Sequence, residues 1–326
     1  MKAILHERYG SPADALRLRE IDKPTPRDGE VLVRIRASAV NPADYYTVTG
    51  PMMARVLGRN GMRAPKETRV GTDYSGTVEA VGPNVTEFTA GDHVFGGRTG
   101  AYAEYVVAKA DRGMTTKPAN VSFEEAGVVA IAGVTALQGL RDKANVKAGD
   151  KVLVTGASGG VGSFAVQIAK ALGAEVTAEC RTSNIELVRS LGADHVIDYT
   201  KEDFAKMDER YDVLFDNAST HSWAASQRVL KPDGALVLVG SPPKGKHLGP
   251  LPHIGRLWFG SKLRRGRKLV FYIAQINKES ITTLARMMEA GEVKPVVDRT
   301  FPLDRTGEAM EYFHTGHPRG KVAIAV

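Results

Sequence analysis

The sequence predicts an α/β protein in which a doubly wound parallel sheet is joined to a second, β-rich domain. Three observations predict it. Short alternating strands separated by turn residues fill the first 120 residues or so. Apolar strand and amphipathic helix patterns then alternate from about residue 150 to 240. Between them, VTGASGGVGSFAVQIAKALGA (Val154–Ala174) sets a glycine-rich turn between an apolar strand and an apolar-periodic helix.

The bulk composition fits that class and excludes others. A chain of 326 residues holds one large or two medium domains, each with its own core. Its 43% hydrophobic and 25% charged residues are those of an ordinary globular protein, not of a disordered one. The net charge of +7 suits nucleic acid, an anionic membrane surface or an anionic small ligand equally, and decides nothing alone. Cys180 is the single cysteine, so no intrachain disulfide forms, and a zinc site built on thiolates is excluded. The opening MKAILHERYG has no apolar core long enough for a signal peptide. No run of about 18 apolar residues suggests a spanning helix. A cytoplasmic protein is expected.

In chain order, EVLVRIRASAV (Glu30–Val40) alternates as a strand, and YSGTVEAVG and AYAEYVVAKA read as further short strands. Ser122 and Glu125 stand at capping-box spacing, predicting a helix from there to about Lys143. KVLVTG, EVTAEC, HVIDY, YDVLFDNA and ALVLVGS follow as strands, with helical or polar segments between them. LVFYIAQ reads as one more strand, and a helix from Lys278 ends near Gly291. The tail, VVDRTFPL and GKVAIAV, returns to β character, which predicts that it packs back onto the first domain.

The glycine turn has the physical features of a phosphate bed. Gly156, Gly159 and Gly162 are three apart, with Gly160 added, and Ser158 and Val161 complete the loop. Small residues let the backbone approach a pyrophosphate, and a helix start offers free N–H groups with partial positive charge. A purely structural strand-to-helix turn is the competing reading. No Gly-Lys-Ser/Thr ends the motif, so it is not a P-loop. Some 20 residues on, where an acid would accept a ribose 2′-hydroxyl, Cys180 stands instead, followed by Arg181, Thr182 and Ser183. An arginine there can pair with a 2′-phosphate, which favours NADP(H). Glu179 is the opposing feature, since one residue of register would bring an acid to the strand tip.

These residues resemble a known family. Gly149-Asp150, Leu153, Ala157-Ser158-Gly159-Gly160, Gly162, Gln167 and Lys170 match the quinone oxidoreductase/zeta-crystallin signature of the medium-chain dehydrogenase/reductase superfamily. EVLVRIRASAVNPADYY, VGTDYSGTVEAVG, GDHVFG, AGVTAL, LGADHVIDY, YDVLFDNA and GHPRGKVAI follow the family's order along the whole chain. The resemblance implies a GroES-like barrel, residues 1–121 and 292–326, interrupted by a Rossmann NADP(H)-binding domain, residues 122–291. It also implies NADPH-dependent reduction of quinones or α,β-unsaturated carbonyls, and a homodimer paired through the edge strand near LVFYIAQ.

Zinc alcohol dehydrogenases share the superfamily, and their metal needs a Cys in the segment matching NPADYY and a His in a Gly-His-Glu segment. Here the first has no Cys, and the second reads Gly71-Thr72-Asp73. The eight histidines are scattered, so no metal is expected. Without a metal, quinones and enones are the fitting acceptors, because the charge left by hydride addition is delocalised and hydrogen-bond donors can stabilise it.

By resemblance, Asn41 and Tyr46 lie at the active-site cleft. Tyr46 is the expected donor to the substrate oxygen, with packing aromatics at Tyr45 and Tyr46 as the alternative reading. Asp44 reads as a cap of the turn that follows. The resemblance further assigns Thr135, Tyr199, Asn217, Gly240, Ser241 and Lys321 to the cofactor. The segment Gly50–Gly71, with three Met and four Arg, reads as an adaptable lid or a long solvated loop. KLRRGRK (Lys262–Lys268) can touch an anionic membrane surface weakly, but so short a run is usually a solvated face, and no obligate nucleic acid is expected. The alternatives are a zinc-free alcohol dehydrogenase and a non-catalytic NADPH-binding protein of crystallin or RNA-binding type.

Overall fold

The computed structural model describes residues 1–51, 55, 61–239 and 268–326. The chain divides into two compact units: Met1–Val134 with Gln275–Gly291 and Pro295–Val326, and Thr135–Ala274 with Glu292–Lys294.

In the first unit, β1 (Lys2–His6) and the short helix α1 (Pro12–Ala15) lead into β2 (Leu16–Glu20), which pairs antiparallel with β1. The spine is β3 (Glu30–Ala39). Its alternation buries Val31, Val33 and Ile35 while Arg34 and Arg36 stay exposed, as the pattern predicts. Helix α2 (Pro42–Thr49) starts abruptly because Asn41 is an extended N-cap and Pro42 has no N–H to lose. It ends at Gly50, whose φ of 54° is left-handed. A Cβ on Gly50 would sit 2.8 Å from Tyr9 Cε1, so the Tyr9 ring closes this corner to any side chain. The antiparallel strands β4 (Asp73–Val81), β5 (His93–Gly97), β6 (Tyr105–Lys109) and β7 (Met114–Thr116) complete the barrel wall. The Ser122–Glu125 capping box forms as predicted and opens helix α3 (Phe123–Ala126). The expected single helix is broken: α3 stops at Gly127, and α4 (Ala130–Leu137) continues with π-type turns over Gln138–Lys143. A Cβ on Gly127 would meet the Ala37 backbone at 3.0 Å, so close packing on β3 sets the break.

The second unit is one wholly parallel sheet. β8 (Lys151–Thr155) feeds α5 (Gly160–Ala171), β9 (Glu175–Cys180) feeds α6 (Ile185–Ser190), and β10 (His195–Asp198) lies at one edge. β11 (Tyr211–Asp216), α7 (Trp223–Val229), β12 (Leu230–Leu238) and β13 (Lys268–Phe271) build the other half. The order is β10-β9-β8-β11-β12-β13, with the direction of winding reversing between β8 and β11. Leu153, Leu214 and Leu236 have no exposed surface on adjacent strands. Each contributes roughly 2–3 kcal/mol of burial. The polar segment TKEDFAKM makes only a 3₁₀ turn, Phe204–Lys206.

The tail returns to the first unit. Helix α8 (Lys278–Glu289) lies in that unit and not with the parallel sheet, whose unit begins at Thr135 and ends its main stretch at Ala274, against the expected 122–291. Its apolar face, Ile281, Leu284 and Met288, is buried. Leu284 reaches to 3.0 Å from where a Cβ on Gly133 would stand, and Asn120 Nδ2 donates to the Met288 carbonyl at 3.0 Å. β14 (Val297–Pro302), α9 (Thr306–Thr315) and β15 (Lys321–Ala325) follow, and β15 pairs with β14 and antiparallel with Ala37–Ala39 of β3. That pairing meets the expectation that the tail rejoins the β domain.

Candidate functional site

The glycine turn lies at the C-terminal end of β8, beside the reversal in strand order, where open parallel sheets bind ligands. Gly156 takes φ 59°, and its carbonyl accepts from Gly159 N at 3.0 Å, closing the turn. Gly159 is the N-cap of α5 and offers no side chain, so the N–H groups of Gly160, Val161 and Gly162 have no intrahelical acceptor. A Cβ on Gly162 would overlap the Gly156 carbonyl and stand 2.8 Å from Ala157 Cα. The last glycine is therefore required by close helix–turn packing. Asn217 flanks the turn: its Nδ2 lies 3.4 Å from the position of a Gly156 Cβ, and its N–H donates to Thr155 Oγ1 at 3.1 Å. Thr155 Oγ1 in turn donates to Asp216 Oδ1 at 2.7 Å, which makes Asp216 a structural acid of the strand end.

The segment after β9 is tied to the same turn. Asn184 Nδ2 donates to Ser158 Oγ at 2.8 Å. Arg181 caps the 3₁₀ turn Thr182–Asn184, and Thr182 Oγ1 donates to Asp198 Oδ2 at 2.6 Å. Tyr199 N donates to the Cys180 carbonyl at 3.1 Å, and the Tyr199 ring is 54% exposed. Arg181, Thr182, Ser183 and Tyr199 thus share one rim. Hydrogen bonds from the Thr182 and Thr200 hydroxyls hold the Asp198 carboxyl down at about 2. Glu179 is only 3% exposed. Burial, reinforced by the charges of Asp216 and Asp203, pushes its carboxyl up to about 7. Glu179 is thus buried, and Asp198 is tied to the Thr182 and Thr200 hydroxyls. Thr135 lies half-buried in α4 with its carbonyl accepting from the Tyr272 hydroxyl. Gly240 and Ser241 lie outside the described residues, as do Met52–Ala54 and Val56–Asn60 of the methionine-bearing segment and Lys262–Arg267 of the basic run. A dinucleotide would be held here by the N–H groups of α5 against its pyrophosphate and by the Arg181 rim.

The first unit carries a buried polar cluster around the start of α2. Asp44 Oδ2 accepts from Asn41 N at 3.1 Å, Asn41 Nδ2 at 3.3 Å and the Tyr102 hydroxyl at 3.1 Å. Its Oδ1 accepts from Thr72 Oγ1 at 3.3 Å. Lys321 is 4% exposed. Its ammonium donates to the Val40 carbonyl at 3.2 Å and to Asn41 Oδ1, and lies 3.6 Å from Asp73 Oδ2. Asp73 Oδ1 accepts from Ile131 N at 2.9 Å. Burial, with Asp73 nearby, raises the Asp44 carboxyl to about 6. Burial likewise lowers the Lys321 ammonium and raises Asp73, each opposed by the attraction between them. Asn41 and Lys321, which the resemblance puts at the active-site cleft and the cofactor, are thus buried with their polar atoms on protein partners. Asp44 caps not the turn that follows it but the start of its own helix, its carboxylate accepting from Asn41 N. Tyr102 carried no signal in sequence, because its hydroxyl reaches Asp44 only through folding.

Tyr46 lies on α2, half-buried, in edge contact with Tyr45 at 6.0 Å. Tyr45 stacks on His314 at 4.4 Å and packs on the core. The Tyr46 hydroxyl makes no hydrogen bond among the described residues, and burial raises its pKa. The donor set at 41, 72 and 73 consists of amide, hydroxyl and carboxylate, arranged with an ammonium among them. It does not fit zinc, whose tetrahedral sites draw on thiolate and imidazole and would compete with that ammonium for the same acceptors. Among the described residues, no group of three or more His, Cys, Asp or Glu is placed to hold a metal ion.

Parallel strands in this order, with a glycine cradle at the reversal, define a dinucleotide-binding oxidoreductase fold carrying a β-barrel domain. Comparison with known proteins makes this specific. The sequence model of the alcohol dehydrogenase GroES-like domain matches residues 27–119, and that of zinc-binding dehydrogenases matches residues 191–324. The chain is 32% identical to a chloroplast envelope quinone oxidoreductase homolog of Arabidopsis thaliana, over 99% of this chain and 98% of that one. It is 32% identical to the chloroplastic NADPH-dependent alkenal/one oxidoreductase of the same plant, over 99% and 79%. The solved quinone oxidoreductase of Coxiella burnetii superposes with a TM-score of 0.83 at 30% identity, covering 100% of this chain and 99% of that one. The chain belongs to the quinone oxidoreductase family of the medium-chain dehydrogenase/reductase superfamily.

Proposed function

We propose that the protein is an NADPH-dependent reductase of quinones and α,β-unsaturated carbonyls that works without zinc, with Tyr46 as the hydrogen-bond donor to the acceptor's carbonyl oxygen. NADPH, when bound, supplies the hydride. The acceptor takes it at carbon, its electron pair moves onto the oxygen, and a proton completes the enol or hydroquinone. The α5 N–H groups, Gly156, Ser158, Gly159 and Asn217 bind the pyrophosphate region, and Arg181, Thr182, Ser183 and Tyr199 take the 2′-phosphate. Thr135 belongs to the nicotinamide end. Tyr46 stabilises the developing oxyanion through a hydroxyl with no competing protein partner among the described residues. Asn41 holds the start of the helix that carries it. The observation that carries the reading is the cradle whose rim bears Arg181, while Glu179 is buried and Asp198 is tied to Thr182 and Thr200. The named activities of the plant relatives support the acceptor class.

The chain is further proposed to act as a homodimer in the cytoplasm. The free thiol of Cys180 is compatible with a reducing compartment. No described helix is long and apolar enough to cross a membrane. The test follows NADPH and NADH oxidation with a naphthoquinone, an enone and an aldehyde after chelation. NADPH-specific turnover of the first two is expected, unaffected by chelation. Dependence on a metal, or a preference for NADH, would overturn the corresponding part. For Tyr46→Phe, kcat with the enone falls about 10- to 100-fold at unchanged NADPH affinity.

A further inference from the structure

We propose that Lys321 is a positioning residue for the reduction: its buried ammonium clamps the Asn41 side chain and so fixes helix α2, which carries Tyr46. This rests on the reading of Tyr46 above, and it replaces a cofactor-binding role for Lys321 with one inside the first unit.

The clamp is built from both sides. Lys321 opens β15, the strand that pairs with the end of β3, and Asn41 stands two residues beyond that end. The ammonium therefore arrives from one strand at the exit of its neighbour. Its three donors meet three acceptors, the Val40 carbonyl, Asn41 Oδ1 and Asp73 Oδ2, the last at the longer 3.6 Å. Asn41 Nδ2 is held in turn by Asp44 Oδ2 and, at 3.4 Å, by the Ala39 carbonyl. Asn41 is thus fixed at both ends of its amide. It is also the N-cap of α2, and its carbonyl accepts from Tyr45 N at 3.2 Å, so its position sets the first turn. Tyr46 follows directly. A cation is used rather than a neutral donor because two buried carboxylates, Asp44 and Asp73, flank the same point. Without the ammonium, the cluster loses both the cation that offsets these carboxylates and the group that holds Asn41. Asp73 Oδ2 already has no hydrogen bond other than this ion pair.

Cofactor contact and positioning make opposite predictions. In the full-length protein, Lys321→Met is compared with wild type for NADPH affinity by fluorescence titration and for kcat with a naphthoquinone at saturating NADPH. Positioning predicts kcat down about 10- to 100-fold with the NADPH dissociation constant within about twofold. A dissociation constant raised about tenfold with kcat intact would show that Lys321 holds the cofactor, and would overturn the proposal; so would no change in either. Should Lys321→Met fail to fold, Lys321→Met/Asp73→Asn removes the ion pair as a neutral unit. The double variant is expected to fold and to remain slow, and recovery of wild-type kcat would refute the clamp. A wild type without turnover would refute the functional reading instead. The clamp is then read from the ¹⁹F resonance of Tyr46 in 3-fluorotyrosine-labelled protein, assigned with Tyr46→Phe. It moves or broadens in the lysine variant if Lys321 fixes α2, and an unchanged resonance would refute it.

Discussion

Tyr74 sits on β4 with no exposed surface, and its hydroxyl is buried without a hydrogen-bond partner among the described residues. A buried hydroxyl deprived of water costs about 1–3 kcal/mol. Tyr74→Phe keeps the ring and removes the cost, so chemical denaturation should show a gain of about 1 kcal/mol, and a loss would reveal a missing partner. Glu179 gives the residue-scale pH dependence. Its folded value, about 7, lies above the unfolded 4.5, so the native state holds the proton more tightly. Stability from this group is complete below the unfolded value and falls as pH rises from about 4.5 through 7, by up to about 3 kcal/mol. Glu179→Gln should therefore stabilise the protein at pH 8 and change little at pH 4. Urea midpoints that shift equally at both pH values would contradict the assignment. The sequence raised Glu179 only as a register problem. Its burial is a property of the folded sheet, which the sequence does not display.

At the scale of elements, strand-turn-helix segments were legible and their interruptions were not. The glycine turn could be read because each glycine answers a local demand: a left-handed φ at Gly156, a side-chain-free cap at Gly159, close approach at Gly162. The break at Gly127 answers a tertiary one, the Ala37 backbone at 3.0 Å, and periodicity carries no trace of it. The same division holds for the site. A capping role for Asp44 is local and was read, though for the turn after it, whereas Lys321 lies 280 residues from Asn41 and meets it only through the pairing of β15 with β3. Two predictions belong here. Gly162→Val must displace the α5 start from Gly156, so NADPH affinity should fall at least about tenfold, with a loss of some 2 kcal/mol or more in stability. Unchanged titration with NADPH would exclude α5 as the phosphate site. Arg181→Ala should weaken NADPH about tenfold and leave NADH within about twofold, since only the former carries the 2′-phosphate. Equal loss of both cofactors would place Arg181 elsewhere.

At the scale of the whole molecule, the parallel sheet ends in β13, whose outer edge has no strand paired to it among the described residues. Phe271 is 54% exposed on that strand, and Ile273, just beyond it, is 82% exposed. An unpaired strand with apolar side chains is a template for pairing with another chain, and proteins that stay monomeric usually blunt such edges with charge, Pro or a bulge. Lys268 is the only charged residue of β13, and it stands at its first position. A second copy meeting it about a two-fold axis would continue the sheet and cover both apolar side chains. The charged basic run preceding this strand was legible in sequence, but the edge itself was not, because an edge is defined by what fails to pair. The homodimer reading predicts a mass near twice that of one chain by light scattering at micromolar concentration. Phe271→Lys/Ile273→Lys should shift it to a single chain while the far-ultraviolet spectrum and NADPH affinity stay within error, since both side chains are exposed. A wild-type monomer, or a double variant that remains dimeric, would place the contact on another surface.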